Sequence, residues 1–94
     1  MSAEVKAKIL VVDDVPQNVR LLEAVLTSHG YTVTSLSSGA EALESVRANL
    51  PDLVLLDIQL PGMNGYEVCR RIREDAATRF LPVVMITSSD TRCA

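Results

Sequence analysis

Apolar residues run along this chain in short unbroken blocks that stop at polar ones, and between the blocks their spacing becomes helical. Lys8-Ile9-Leu10-Val11-Val12 ends in two adjacent acids, Asp13 and Asp14. Leu53-Val54-Leu55-Leu56 ends in Asp57, and Val83-Val84-Met85-Ile86 ends in Thr87. A continuous apolar run, rather than an alternating one, marks a strand buried on both faces. The blocks predict strands over Lys8–Val12, Asp52–Leu56 and Val83–Ile86. The β-branched, partly alternating stretch Tyr31–Leu36 predicts another, second in chain order.

Between them lie helices. Pro16 suits a first helical turn. From Val19 onward, Val19, Leu22, Val25 and Leu26 share one face, with Arg20, Glu23 and Thr27 opposite. His29 and Gly30 supply a basic last turn and a terminating glycine. A second helix is expected over Ala40–Ala48, with Ala40, Leu43, Val46 and Leu50 facing inward and Glu44 pairing with Arg47 outside. Pro51 stops it. Leu60–Gly65 reads as a loop from its Pro-Gly and Asn-Gly pairs. The third helix, Tyr66–Glu74, carries the apolar stripe Val68, Cys69 and Ile72, while Arg70, Arg71, Arg73 and Glu74 face water. Ser88-Ser89-Asp90 offers caps for a further helix that does not develop before Ala94. An alternation βαβαβαβ predicts an α/β fold: a doubly wound parallel sheet with right-handed crossovers and helices on both faces.

Composition narrows the reading. Ninety-four residues make one small domain, and 48% hydrophobic content supplies a core that must be aliphatic, because aromatics are only 3%. A net charge of −3 argues against a nucleic-acid footprint. The longest apolar runs are strand-sized, so no membrane span is expected. The first seven residues lack the apolar centre of a signal peptide. Two cysteines, Cys69 and Cys93, are too few for a disulfide framework or a zinc site. Cys69 is expected to act as a small buried hydrophobe and Cys93 to be exposed near the chain end. The natural setting is a reducing cytoplasm.

The polar endings carry the chemistry. Taken singly, each has an ordinary explanation: Asp14 as a helix N-cap, Asp57 as a loop aspartate, Thr87 and Ser88 as capping hydroxyls. Together they fall on one edge of the sheet, beyond the carboxyl ends of the strands, where ligands bind in open α/β folds. If the first and third strands are neighbours, Asp13, Asp14 and Asp57 converge. Three close carboxylates raise one another's pKa, and a divalent cation removes the conflict. Magnesium prefers hard oxygen ligands and accepts a phosphoryl oxygen beside one or two carboxylates. A phosphoryl-transfer site therefore fits better than an acid/base pair. The single histidine, His29, ends a helix and offers no imidazole triad.

The segments Ile9–Asp14, Leu53–Asp57, Leu60–Gly65 and Leu81–Thr87, with their spacing, resemble the receiver domain of two-component response regulators (the CheY-like superfamily). The resemblance spans Lys8 to Ser89. It implies a flavodoxin-like fold with strand order 2-1-3-4. It implies that Asp57 is the phosphoacceptor, fed by a histidine kinase or a phosphotransfer protein. Mg²⁺ would be held by Asp14 directly, by Asp13 through water, by Asp57 and by the backbone carbonyl of Gln59. Thr87 would hydrogen-bond the phosphoryl group as the switch hydroxyl.

Such domains carry five strands and five helices, so residues 1–94 read as a single, C-terminally incomplete receiver. The fifth-strand lysine and the aromatic partner of the switch threonine have no counterpart, and Lys6 and Lys8 lie at the wrong end of their strand. Impaired phosphoryl transfer is the expectation, together with dimerisation or domain swapping through the edge of the fourth strand. The main alternative is a receiver-like interaction module that is not phosphorylated. A phosphatase with an aspartate nucleophile usually has a second aspartate just after it, where this chain has Ile58 and Gln59. A flavin site lacks its phosphate loop, because Asp14-Val15-Pro16 stands there.

Overall fold

The computed structural model describes residues 6–86. Its elements are β1 (Lys8–Val12), α1 (Pro16–Ser28), β2 (Thr32–Leu36), α2 (Gly39–Ala48), β3 (Leu53–Asp57), α3 (Gly65–Glu74) and β4 (Val83–Ile86). The four strands form one parallel sheet in the order β2-β1-β3-β4, as the resemblance implied. The chain first steps from β1 outward to β2 and then reverses past β1 to β3. With right-handed crossovers, that reversal places α1 on one face of the sheet and α2 and α3 on the other. It also opens a crevice between the ends of β1 and β3.

The central strand is apolar on both sides, as its unbroken pattern predicts. Ile9, Leu10, Val11 and Val12 are all buried. Leu10 and Val12 point to the α2–α3 face, where they join Val54 and Leu56 of β3 and meet Ala42 and Val46 of α2 and Val68 and Ile72 of α3. This is the main core. Ile9 and Val11 point to the α1 side. Leu60 and Leu81 close the core from the loops. Cys69 packs against it while keeping part of its surface exposed.

Helix boundaries follow local chemistry. Ser38 caps α2 by accepting from the Glu41 amide at 3.2 Å, and Asn64 caps α3 by accepting from the Glu67 amide at 3.0 Å. Helix α1 ends as expected, with His29 as C-cap and Gly30 in the left-handed region at φ 90°. The connector from α3 to β4 is pinned by polar side chains. The buried Thr78 hydroxyl donates to the Ile72 carbonyl at 2.7 Å, and Arg73 donates to the carbonyls of Leu81 at 2.7 Å and Arg79 at 3.2 Å.

Several expectations are corrected. Ala40 is exposed and Leu50 is 52% exposed, whereas Ala42 is fully buried. Helix α2 begins at Gly39 and is capped at Asn49, so its inward stripe runs Gly39, Ala42, Leu43, Val46. Arg47 reaches Asp75 at 3.5 Å rather than Glu44. Val25 is 47% exposed, and Glu23 faces β2, accepting from the Ser35 hydroxyl at 2.9 Å. Strand β2 starts one residue later than expected, and β3 is shifted by one to include Asp57, whose backbone pairs with Ile86. Thr87, the Ser88-Ser89-Asp90 caps and Cys93 lie outside the described residues. No helix among the described residues is long and apolar enough to cross a membrane.

Candidate functional site

The register Val12↔Leu56 sets the ends of β1 and β3 level, so the next residues along each chain, Asp13 and Asp57, emerge side by side. Asp14 follows at once. Each of the three acids offers a carboxylate oxygen, and these oxygens lie within 4.8 Å of one another. Asp13 and Asp57 are buried, at 3% and 1% exposure, and Asp14 is exposed. The convergence expected from the sequence is therefore present.

Backbone geometry holds the acids. Asp13 donates its amide to the Leu36 carbonyl of β2 at 3.0 Å, and its Oδ1 accepts from the Val15 amide at 2.9 Å. Its Oδ2 accepts from the Asn18 side-chain amide at 3.3 Å. Asp57 Oδ1 accepts from the Gln59 amide at 3.2 Å. Asp14 is not a helix cap: Val15 occupies the N-cap of α1 and no side chain caps it. The capping role for Asp14 is thus removed, and its exposed carboxylate stands in the acid cluster.

The third wall is the start of α3. The Gly65 amide donates to the Ile58 carbonyl at 2.7 Å, drawing the helix terminus onto the end of β3. A Cβ at Gly65 would collide with the Asp57 carbonyl and the Ile58 backbone, so only glycine permits this approach. Gly62, at φ 80°, makes the preceding turn. Between the first turn of α1 and the ends of β2, a groove of about 350 Å³ opens beside Asp13 and Asp14, walled by Pro16, Val19 and Leu36 and flanked by Arg20 and Glu41.

Electrostatics follow from this crowding. Burial pushes the Asp57 carboxyl above the usual aspartate range; the Gln59 amide pulls it back, and the neighbouring Asp13 and Asp14 push it further up. A set of hard, close, mutually repelling oxygens is the donor chemistry that a small divalent cation satisfies. Asp13, Asp14 and Asp57 fit Mg²⁺ in this sense. The backbone of Gln59 lies next to the cluster through its bond to Asp57.

Sequence reasoning found the three acids but missed two residues that hold them, Asn18 and Gly65. A polar residue five positions after an acid, in the first turn of the following helix, is the signal for the former. The Asn-Gly pair, read only as a loop, also marks the glycine on which α3 approaches β3.

Comparison with known proteins places these features in context. Residues 9–93 match the family described as the response regulator receiver domain. The chain is 51% identical over 86 residues to the response regulator PleD of Caulobacter vibrioides, a match covering 92% of this chain and 19% of that protein. The chain thus spans about a fifth of the length of that relative. Among solved structures, the N-terminal domain of a response regulator receiver protein from Methanoculleus marisnigri superposes with a TM-score of 0.85 at 44% identity, covering 92% of this chain and 70% of that one. The receiver domain of a sensor histidine kinase from Pseudomonas aeruginosa, solved with a magnesium ion coordinated in its active-site cleft, superposes with a TM-score of 0.85 at 35% identity, covering 90% of this chain and 70% of that one.

Proposed function

Because the chain belongs to the response regulator receiver domain family, we propose that it is a phosphoacceptor in a histidine-to-aspartate relay, with Asp57 as the acceptor. The observation that carries this reading is the acid cluster itself: three carboxylate oxygens within 4.8 Å at the point where the strand order reverses. The donor is the phosphohistidine of a kinase or a phosphotransfer protein. An oxygen of Asp57 bonds to phosphorus as the phosphorus–nitrogen bond breaks, and the electron pair leaves on the donor's imidazole. The product is an acyl phosphate, which water hydrolyses, so the domain is a transient switch that turns over no metabolite. Phosphorylation adds charge and acceptor oxygens at this end of the sheet, which can draw in a hydroxyl such as that of Thr87.

Asp14 and Asp57 would hold Mg²⁺ directly, Asp13 through water, and the Gln59 carbonyl would add a ligand. Bound there, the ion would supply charge neutralisation for the carboxylates and the phosphoryl oxygens. The protein residues do the rest: β1 and β3 fix the acids in register, and the Gln59 amide orients the Asp57 carboxylate. The two lysines of the sequence, Lys6 and Lys8, belong to the opposite rim of the sheet from the acids. Among the described residues no lysine ammonium stands beside the acids to meet the charge that develops during transfer, so slow labelling is the expected result. The setting is the cytoplasm.

The test is incubation with acetyl phosphate followed by intact-mass analysis. Slow, Mg²⁺-dependent addition of one phosphoryl group, absent from Asp57→Asn, is the expected result. No labelling at any time, with no Mg²⁺ binding, favours an interaction module instead. Among the described residues strand β4 lies at an edge of the sheet, and Val84 is 47% exposed on it. Self-association through that edge is therefore expected, and light scattering of the same sample reads it: a monomer at high concentration removes this part.

A further inference from the structure

The three acids are not held alike. Asp14 is exposed, and Asp57 has one backbone donor on a single oxygen. Asp13 is buried at 3% exposure, and a different N–H reaches each of its oxygens: the Val15 amide at 2.9 Å on Oδ1 and the Asn18 side-chain amide at 3.3 Å on Oδ2. Two donors on two oxygens fix the plane of a carboxylate, whereas one leaves it free to turn. Asn18 is itself anchored in the first turn of α1, its backbone amide donating to the Val15 carbonyl at 3.0 Å. The same turn therefore supplies both clamps.

We infer that Asn18 is a positioning residue that holds Asp13 rigid, and that this rigidity makes the acid cluster select Mg²⁺ over Ca²⁺. The inference rests on the reading of the cluster as a Mg²⁺ site. Mg²⁺ demands octahedral geometry with oxygens at about 2.0–2.1 Å, whereas Ca²⁺ takes six to eight oxygens at about 2.3–2.6 Å in flexible arrangements. A carboxylate pinned at both oxygens keeps its distance from Asp14 and Asp57 and cannot swing to meet the larger ion. Freed of Asn18, Asp13 pivots about the single Val15 contact. The smaller ion would then lose the fixed carboxylate that positions its water, and the larger ion would meet one that can adapt.

The experiment titrates the 94-residue chain with MgCl₂ and, separately, CaCl₂, following backbone amide NMR shifts near Asp57. It uses the original chain, Asn18→Ala, and Gln17→Ala as an exposed neighbour control. Asn18→Ala is expected to weaken Mg²⁺ binding about tenfold, the scale on which a residue supporting a metal ligand acts, while Ca²⁺ binding stays within about twofold. The ratio of the two affinities thus falls in Asn18→Ala and not in Gln17→Ala. Loss of folded protein lowers both affinities by the same factor and leaves the ratio untouched, so a purely structural role predicts no change in it. An unchanged ratio in Asn18→Ala overturns the inference while leaving the metal site standing. Absence of any Mg²⁺-dependent shift in the original chain overturns both.

Discussion

The two faces of the sheet are built differently. On one, α2 and α3 press Ala42, Val46, Val68 and Ile72 onto Leu10, Val12, Val54 and Leu56, and all eight are buried. On the other, α1 lies over Ile9 and Val11 but has no buried residue of its own, and its Leu21 and Val25 are 64% and 47% exposed. It is also tied by polar contacts: the Ser35–Glu23 hydrogen bond, and the Val15 and Asn18 donors that engage Asp13 at its first turn. One face is closed by a continuous apolar core; the other combines partial apolar cover of Ile9 and Val11 with a few hydrogen bonds, two of which engage Asp13. The fold thus separates what stabilises the domain from what shapes the site.

The largest effect is expected from the packed face. Ile72 is 1% exposed in the centre of the core, so Ile72→Ala loses transfer energy and leaves a cavity. A cost of about 2–5 kcal/mol is expected, enough to approach the whole stability of a small domain. Denaturant unfolding measures it. A cost below about 1 kcal/mol would mean that this face is as loosely held as the other.

How far this asymmetry was legible in the chain depends on the element. Strands β1 and β3 stand out because burial on both faces removes every polar residue until the strand ends, and the acids mark those ends. In helix α2, Leu43 and Val46 face inward as the pattern predicts, but Ala40 and Leu50 do not. The helix had already ended at the Asn49 cap, and its first inward position is Gly39, which a hydrophobic pattern does not register. Helix α1 shows a regular apolar stripe whichever neighbours it has, so periodicity reports the stripe and not how much of it is covered. At the site, the acids were legible as strand endings. Their meeting depends on β1 and β3 being adjacent, a property of topology and not of either segment. The Asn18–Asp13 bond was missed because an asparagine in a first helical turn has many ordinary uses.

A middle-sized effect tests the pocket where the two faces meet. The carboxyl of Asp57 is raised in the folded chain by burial first and by Asp13 and Asp14 after it. The folded state therefore holds that proton more tightly than the unfolded chain does. The resulting stabilisation is present below the unfolded pKa and is lost as pH rises through the raised value. Asp57→Asn removes that loss, so at neutral pH the variant is expected to be more stable by about 0.5–2 kcal/mol. The difference should vanish below about pH 4, where the unfolded carboxyl is protonated too. Saturating Mg²⁺ should narrow it in the original chain by satisfying the same charge. Thermal unfolding across pH, with and without the ion, gives all three readings. A less stable Asp57→Asn at neutral pH would show that the acids are not in conflict.

The smallest effect belongs to the open face and is the sharpest test of the contrast. Leu21 is on α1 at 64% exposure, so Leu21→Ser gives up little buried area. Leucine is the better helix former by a few tenths of a kcal/mol, which sets the floor of the cost. A change within about 0.5 kcal/mol is expected, several-fold below that of Ile72→Ala. Amide exchange extends the same argument to the backbone: amides in α1 should exchange sooner than those in α2 and α3, because opening α1 uncovers less apolar surface of its own. A loss above about 1 kcal/mol that grows with protein concentration would mean that a second chain covers Leu21. A loss of that size independent of concentration would mean that α1 is packed within the chain after all, and the division between a face that stabilises and a face that shapes the pocket would fall.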